Sequence, residues 1–166
     1  KGEGLGNKFL SHIREVDAIV EVVRCFDDAN ITHVEGVTDP IRDIEIINVE
    51  LILADLEIIQ NRLNKIVKKA ETTKDKEAIA EVNVLMKAKN SLEASVPLRL
   101  VDFEEDELLL MRAFNFITLK PLIYAANVAE DDVILGDNDY TKKVREYAEK
   151  EGSGVIVMSA KMESEL

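Results

Sequence analysis

Short apolar runs alternate with longer amphipathic stretches along the chain, and this alternation predicts an α/β fold. Three runs are short and rich in β-branched residues, which is typical of buried strands in a parallel sheet. They cover Ala18 to Arg24, Leu122 to Ala126 and Val155 to Met158. Between the second and third runs, Asn138 to Glu151 has the pattern of an amphipathic helix, and Gly152 ends it. Strand, polar loop, helix and strand in this order form half of a doubly wound nucleotide-binding fold.

The stretch between the first two strands has helical periodicity. Asp39 suits the N-cap and Pro40 the first position of a helix that we expect to continue to Ala70. Its apolar residues form two offset stripes, one of Ile44, Ile47, Leu51, Ala54 and Ile58, the other of Leu56, Ile59, Leu63 and Ile66.

A returning helix is predicted from about Asp75 to Ala94, after a turn at residues 71–74, and Pro97 ends it. The two long helices therefore predict an antiparallel helical hairpin inserted between two strands of one sheet. Shorter helices are expected over Asn7 to Arg14 and about Glu104 to Asn115.

Composition narrows the functional classes. The chain has 166 residues, of which 46% are hydrophobic and 33% charged, and no apolar run has the length of a membrane span. No signal peptide is recognisable, and the single cysteine, Cys25, predicts a reducing, cytoplasmic setting with no intrachain disulfide. The formal net charge of −12 argues against general nucleic-acid coating. We therefore expect no membrane partner and no DNA partner.

The charge is distributed unevenly. Residues 61–90 hold eight Lys or Arg against four Asp or Glu, an excess of about four positive charges. Two interpretations stay open for this segment: a solvated helical face, or a contact with a polyanion such as ribosomal RNA, which binds lysines through its phosphates. The candidate contact residues are Lys65, Lys68, Lys69 and Lys74.

Two polar motifs follow consecutive predicted strands. Asn127-Val128-Ala129-Glu130 comes after the second strand and Ser159-Ala160-Lys161 after the third. Ligands of open α/β sheets bind outside the carboxyl ends of the strands. An amide and a carboxylate placed there can meet the edge of a small planar ligand, although a polar turn alone would give the same sequence.

The paired motifs resemble the base-recognition elements of the Ras-like P-loop NTPases, and the whole chain resembles the YchF group of Obg-like ATPases. Several segments carry this resemblance: Lys1-Gly2-Glu3-Gly4-Leu5-Gly6-Asn7, Val23-Arg24-Cys25-Phe26, Ile31-Thr32-His33-Val34-Glu35-Gly36, Asp39-Pro40-Ile41-Arg42-Asp43-Ile44-Glu45, Leu119-Lys120-Pro121, Asn127-Val128-Ala129-Glu130 and Ser159-Ala160-Lys161.

The resemblance implies a fold and a site. Residues 1–43 and 117–166 would be part of a nucleotide-binding domain, and residues 44–116 a helical coiled-coil insertion. It also implies ATP binding and hydrolysis with Mg²⁺, GTP as a possible second ligand, and association with ribosomes. The base-binding positions would be Asn127, Val128, Glu130, Ser159, Ala160 and Lys161, and the tail of switch II would be Lys1, Gly2, Gly4 and Gly6.

Some family features have no counterpart here. The chain contains no G-x-x-x-x-G-K-[ST] motif, so no phosphate-binding, metal-binding or catalytic residue is assigned. We expect the chain to be the central segment of a larger protein whose phosphate loop and C-terminal TGS domain lie outside it. We also expect this segment alone to lack ATPase activity.

The base preference rests on the resemblance, which implies ATP over GTP. Guanine-specific relatives have Asn-Lys-x-Asp, whereas this chain has Val128 and Glu130 in place of the Lys and the Asp. These changes relax guanine selection without creating adenine selection, and the Ala160 N–H would itself suit guanine O6. Two other functions stay open: a helical RNA- or protein-binding module for which the sheet is only a scaffold, and a structural protein without a nucleotide.

Overall fold

A computed structural model describes residues 7–27 and 37–160 of the chain. These residues form two compact units. The helical unit contains residues 7–17 and 48–120, and the sheet unit contains residues 18–27, 37–47 and 121–160. No helix among the described residues is both long enough and apolar enough to span a bilayer.

The sheet unit has three parallel strands, as the sequence predicted, and their order in the sheet is β1-β2-β3. They are β1 (Ile19–Arg24), β2 (Leu122–Asn127) and β3 (Gly154–Met158). The register is continuous: Ile19 faces Leu122 at one end, and Asn127 pairs with both Arg24 and Met158 at the other. All three carboxyl ends therefore meet at one edge of the sheet.

Two helices join the second strand to the third. They are α5 (Glu130–Leu135) and α6 (Asp139–Glu151). The side chain of Asn138 caps α6, and Gly152 ends it in the left-handed conformation at φ 74°. Helix α6 agrees with the sequence prediction, whereas α5 lies where a polar loop was expected.

The two faces of the sheet differ in exposure. On one face the strands bury a core with α6 and the start of the long helix; its members are Val23, Cys25, Ile44, Leu122, Tyr124, Ala126, Val128, Val144 and Ala148. The opposite face carries Val20, Val22, Ile123 and Ile156, which are between 39% and 57% exposed in the described chain. Parallel sheets are usually covered on both faces. This open face is therefore an unusual surface for a parallel sheet.

The long helix α2 (Pro40–Thr73) begins as the sequence predicted, with the Asp39 carboxylate accepting from the Arg42 N–H at 3.2 Å. It is followed by α3 (Lys76–Glu93), and only Lys74 and Asp75 separate the two helices. Lys74 adopts a positive φ of 56°, which turns the chain back. The predicted antiparallel hairpin is confirmed.

The hairpin core lies between α2, α3 and the segment after α3. Its buried members are Ile52, Ile59, Leu63, Val84, Leu85, Ala88, Leu92, Leu98, Phe103, Met111 and Phe116. The segment after α3 contains α4 (Glu105–Met111). Burying a side chain of this kind contributes about 1.5–3 kcal/mol relative to leaving it exposed, so this core is a major source of stability for the helical unit.

A buried carboxylate interrupts this apolar core. Asp55 of α2 has no solvent exposure and accepts hydrogen bonds from the N–H groups of Ile117 and Thr118 at 3.1 and 2.8 Å. It also accepts from the Thr118 hydroxyl at 2.7 Å and pairs with the Arg14 guanidinium at 2.8 Å. Arg14 follows α1 (Asn7–Ile13), so this ion pair ties the first helix to α2.

The compact units differ from the predicted domain limits at the N-terminus. Residues 1–43 were predicted to belong to the nucleotide-binding domain, whereas α1 lies in the helical unit. The contact between Arg14 and Asp55 accounts for this placement. The domain assignment itself stays a prediction, as does the coiled-coil character of the hairpin.

Candidate functional site

The carboxyl end of the sheet brings the two polar motifs together. Asn127 is the last residue of β2, and Ser159 and Ala160 follow β3 directly. The Ala160 N–H donates to Asn127 Oδ1 at 3.0 Å, and Ser159 is buried at 3% exposure. Parallel pairing with matched register places these motifs side by side, because both follow strands that end at the same level.

Asn127 also joins β2 to β1. Its backbone carbonyl accepts from the Cys25 N–H at 2.7 Å, just after β1 ends. The central strand is therefore connected to both of its neighbours at the site. The Ala160 N–H, which in isolation would suit guanine O6, is engaged by the Asn127 side chain.

Val128 lies directly after β2, and its predicted place at the base stays a prediction. Its side chain is buried at 2% exposure in the core of the sheet unit, and its N–H donates to the Met158 carbonyl at 2.8 Å. The side chain therefore packs against the protein interior. The carbonyl is the remaining polar group of this residue.

Glu130 is the most distinctive group of the site. It is the first residue of α5, and its Oε1 atom is buried without a hydrogen-bond partner among the described residues. A buried acceptor without a donor is costly, by about 1–3 kcal/mol, and such groups call for an explanation. A ligand that presents an N–H group to Oε1 would remove this cost.

The neighbouring acidic groups are already engaged. Asp132 Oδ2 accepts from Asn138 Nδ2 at 3.0 Å. Asp137 accepts from Arg145 at 2.7 Å and from the Thr141 hydroxyl at 2.9 Å. The Arg145 hydrogen bond, with that of Thr141, holds the pKa of the Asp137 carboxyl below its usual range. Among these carboxylates, Glu130 is the one with a buried acceptor atom that has no hydrogen-bond partner in the described part of the chain.

The loop after β1 contributes a second polar cluster beside the site. Arg24 donates to the Thr38 hydroxyl at 3.1 Å, and this hydroxyl donates to the Phe26 carbonyl at 3.0 Å. The Tyr140 hydroxyl donates to Asp27 at 2.7 Å, which raises the pKa of the phenol. These contacts hold both ends of the segment that leads from β1 to α2.

The other candidate residues fall into two groups. Lys65, Lys68, Lys69 and Lys74 are exposed near the turn of the hairpin, and none forms an ion pair within the described ranges. Lys1, Gly2, Gly4, Gly6 and Lys161 lie outside the described residues. No cluster of three or more His, Cys, Asp or Glu side chains suited to a metal ion occurs among residues 7–27 and 37–160.

Sequence reasoning missed the role of Asn138. It marked this residue as the start of a helix, whereas the side chain also contacts α5 and the end of β1. The capping position was recognisable from the sequence, but the additional partners are distant in the chain.

The chain is similar in sequence and in structure to proteins of one family. The chain is 52% identical over its whole length to the ribosome-binding ATPase YchF of Bacillus subtilis and 47% identical to that of Escherichia coli O157:H7. A solved structure, the Schizosaccharomyces pombe YchF GTPase, matches 93% of the chain with a TM-score of 0.83 and 39% identity. The chain belongs to the YchF family.

The chain is also similar to an animal protein. Obg-like ATPase 1 of Caenorhabditis elegans is 37% identical over 95% of this YchF-family chain. No protein-family model matches the chain. The chain spans 45% of the length of the bacterial relatives and 43% of the yeast structure. Both the resemblance stated from the motifs and the predicted fold class are confirmed.

Proposed function

We propose that this chain supplies the base-recognition part of a nucleoside triphosphate hydrolase that binds ribosomes and prefers ATP to GTP. The relatives are named ribosome-binding ATPases, and the yeast structure is named a GTPase. Hydrolysis, Mg²⁺ and a cytoplasmic location would be properties of the complete protein. In that reaction, water would cleave a phosphoanhydride bond of the bound triphosphate.

The observation that supports base recognition is the unpartnered Oε1 atom of Glu130. Adenine offers an exocyclic amine, an N–H donor that a carboxylate oxygen can accept. Guanine offers two adjacent donors, which suit a shorter Asp carboxylate in related enzymes. We infer that Glu130 accepts from the exocyclic amine and that the pair formed by Asn127 and Ala160 fixes the opposite wall of the base site.

The test compares three nucleotides on the complete gene product: ATP, GTP and purine riboside triphosphate, which is ATP without the exocyclic amine. The unmodified protein should bind ATP more tightly than the purine analogue. Glu130→Ala should bring the ratio of the two affinities close to one, because the acceptor is gone. Losing one net hydrogen bond corresponds to about fivefold in affinity.

Asp131→Ala is the matched control, because Asp131 is an exposed carboxylate in the same turn of α5. It should leave the ratio unchanged. Glu130→Asp should move the preference toward GTP. Val128→Lys is unsuitable as a companion change, since Val128 is buried and a lysine there would place a charge in the core. An ATP to purine-analogue ratio that survives Glu130→Ala would refute the assignment.

A second function is favoured by the hairpin turn. Its four exposed lysines, Lys65, Lys68, Lys69 and Lys74, lie within an overall acidic chain. We propose that they contact the phosphates of ribosomal RNA. Affinity for a polyanion falls as salt rises, and each phosphate contact adds about 0.7–0.9 to the steepness of log affinity against log salt concentration. Replacing all four lysines with Gln should therefore make this dependence shallower by about three.

The control for this experiment replaces Lys142, Lys143 and Lys150, the exposed lysines of α6. Ribosome cosedimentation at several salt concentrations provides the measurement, and nucleotide affinity should stay constant. If the salt slope is the same in both variants, the hairpin is not the polyanion contact and its lysines form a solvated face.

A further inference from the structure

Asn138 connects three separate segments of the sheet unit through one amide group. Its Oδ1 atom accepts from the Thr141 N–H at 2.8 Å and so caps α6. Its Nδ2 atom donates to the Cys25 carbonyl at 2.9 Å and to Asp132 Oδ2 at 3.0 Å. The amide therefore links α6, the end of β1 and α5.

Helix α5 has few other means of support. It has only six residues, and its last two apolar side chains, Ile134 and Leu135, are 83% and 78% exposed. Val133 alone among the apolar residues of α5 packs against the sheet core. Gly136 then ends the helix at φ 96°. Because α5 buries little apolar surface against the rest of the unit, we infer that the hydrogen bond from Asn138 to Asp132 is a main contact that fixes the orientation of this helix.

Glu130 and Asp132 belong to the same turn of α5. We propose that Asn138 is a positioning residue for base recognition: it fixes α5 through Asp132, and thereby aims the Glu130 carboxylate at the base. This inference rests on the proposed role of Glu130. It adds a residue eight positions along the chain, outside both polar motifs, that sets the selectivity of the site.

Asn138→Asp separates positioning from capping. Aspartate is as good an N-cap as asparagine, so the bond from Thr141 is retained. The change removes both Nδ2–H donors and places a carboxylate next to that of Asp132, and like charges at this distance repel. Helix α5 should then lose its anchor while α6 stays capped.

The reciprocal variant tests the same contact from the other side. In Asn138→Asp combined with Asp132→Asn, the amide and the carboxylate exchange places, and the hydrogen bond between α5 and α6 can form again. The bond to the Cys25 carbonyl stays lost, so we expect partial recovery. Asp132→Ala removes the link and leaves the cap intact, which provides a second test if Asn138→Asp does not fold.

The measurement is the ratio of ATP affinity to purine riboside triphosphate affinity in the complete gene product. Asn138→Asp and Asp132→Ala should each lower this ratio by about fivefold, and the reciprocal pair should restore part of it. Asp137→Asn is the control, because Asp137 contacts Thr141 and Arg145 but not α5. A merely structural role of Asn138 would lower the affinity for both nucleotides equally and leave the ratio unchanged.

The outcomes distinguish this inference from the proposed function. If Glu130→Ala lowers the ratio and neither Asn138→Asp nor Asp132→Ala does, Asn138 is not a positioning residue and the base-recognition proposal stands. If Glu130→Ala also leaves the ratio unchanged, both proposals are overturned. A lower ratio in the single variants, with recovery in the reciprocal pair, supports the inference.

Discussion

The buried carboxylate of Asp55 gives the sharpest stability prediction. Four donors converge on it: the Arg14 guanidinium, the N–H groups of Ile117 and Thr118, and the Thr118 hydroxyl, all between 2.7 and 3.1 Å. Asp55→Ala removes the carboxylate that accepts all of these hydrogen bonds. Two backbone N–H groups, one hydroxyl and one guanidinium then lose this acceptor. These donors lie in a region from which water is largely excluded, as the full burial of Asp55 shows.

The expected magnitude follows from the two kinds of contact. Removing one partner of a buried ion pair costs about 3–5 kcal/mol, and each buried donor left unpaired costs about 1–3 kcal/mol. These terms overlap, because they describe the same group, and the Arg14 side chain keeps 17% exposure, through which water can reach it. We therefore expect Asp55→Ala to lower the free energy of unfolding by about 3–5 kcal/mol.

Urea unfolding of the 166-residue chain, followed by far-UV circular dichroism, measures this loss, because α2 and α3 dominate the helical signal. Glu57→Ala is the control: Glu57 is exposed on the same helix, and its removal should change stability by no more than about 0.5 kcal/mol. Arg14→Met should cost less than Asp55→Ala, since three donors remain. If Asp55→Ala and Glu57→Ala have equal effects, the carboxylate does not organise the helical unit.

Three further predictions concern the isolated chain. Burial, with a smaller contribution from Asp43, raises the pKa of the Cys25 thiol from 9.0 to about 12, so thiol reagents at pH 8 should react with Cys25 only after unfolding. Because the pKa of the Cys25 thiol is higher in the folded chain than in the unfolded chain, the protonated thiol contributes to the free energy of unfolding. This contribution is complete below about pH 9 and is lost as the pH rises toward 12. Amide exchange should be faster at residues 19–23 than at residues 51–66, because β1 pairs with one strand only among the described residues; the reverse order would contradict this. Purified chain should release no phosphate from ATP above background, since it has no phosphate-binding motif.

Much of the fold was predictable from local sequence signals. The strands were visible as short β-branched runs, and the limits of α2 and α6 as capping residues at Asp39, Asn138 and Gly152. Helix α5 was not predicted, because six residues that begin with Glu-Asp-Asp have too few apolar positions to show a helical period.

The interior of α2 was predicted less well. The sequence suggested two offset apolar stripes, whereas the buried positions form one stripe that passes through Leu51, Asp55, Ile59 and Leu63. A carboxylate at a core position breaks the hydrophobic pattern, and its partners are 41 to 63 residues away in sequence. Local periodicity contains no information about such distant donors.

Two asparagines give the site its geometry, and for Asn138 the chemistry of the side chain explains why an aspartate would not make the same set of contacts. Asn127 accepts from the Ala160 N–H with its side chain, and its backbone carbonyl accepts from the Cys25 N–H. Asn138 uses the same kind of side chain as both acceptor, for Thr141, and donor, for Asp132. An amide can join a donor on one segment to an acceptor on another without introducing charge, and a carboxylate can only accept. Such neutral links preorganise the segments around Glu130, whose buried Oε1 atom has no hydrogen-bond partner among the described residues.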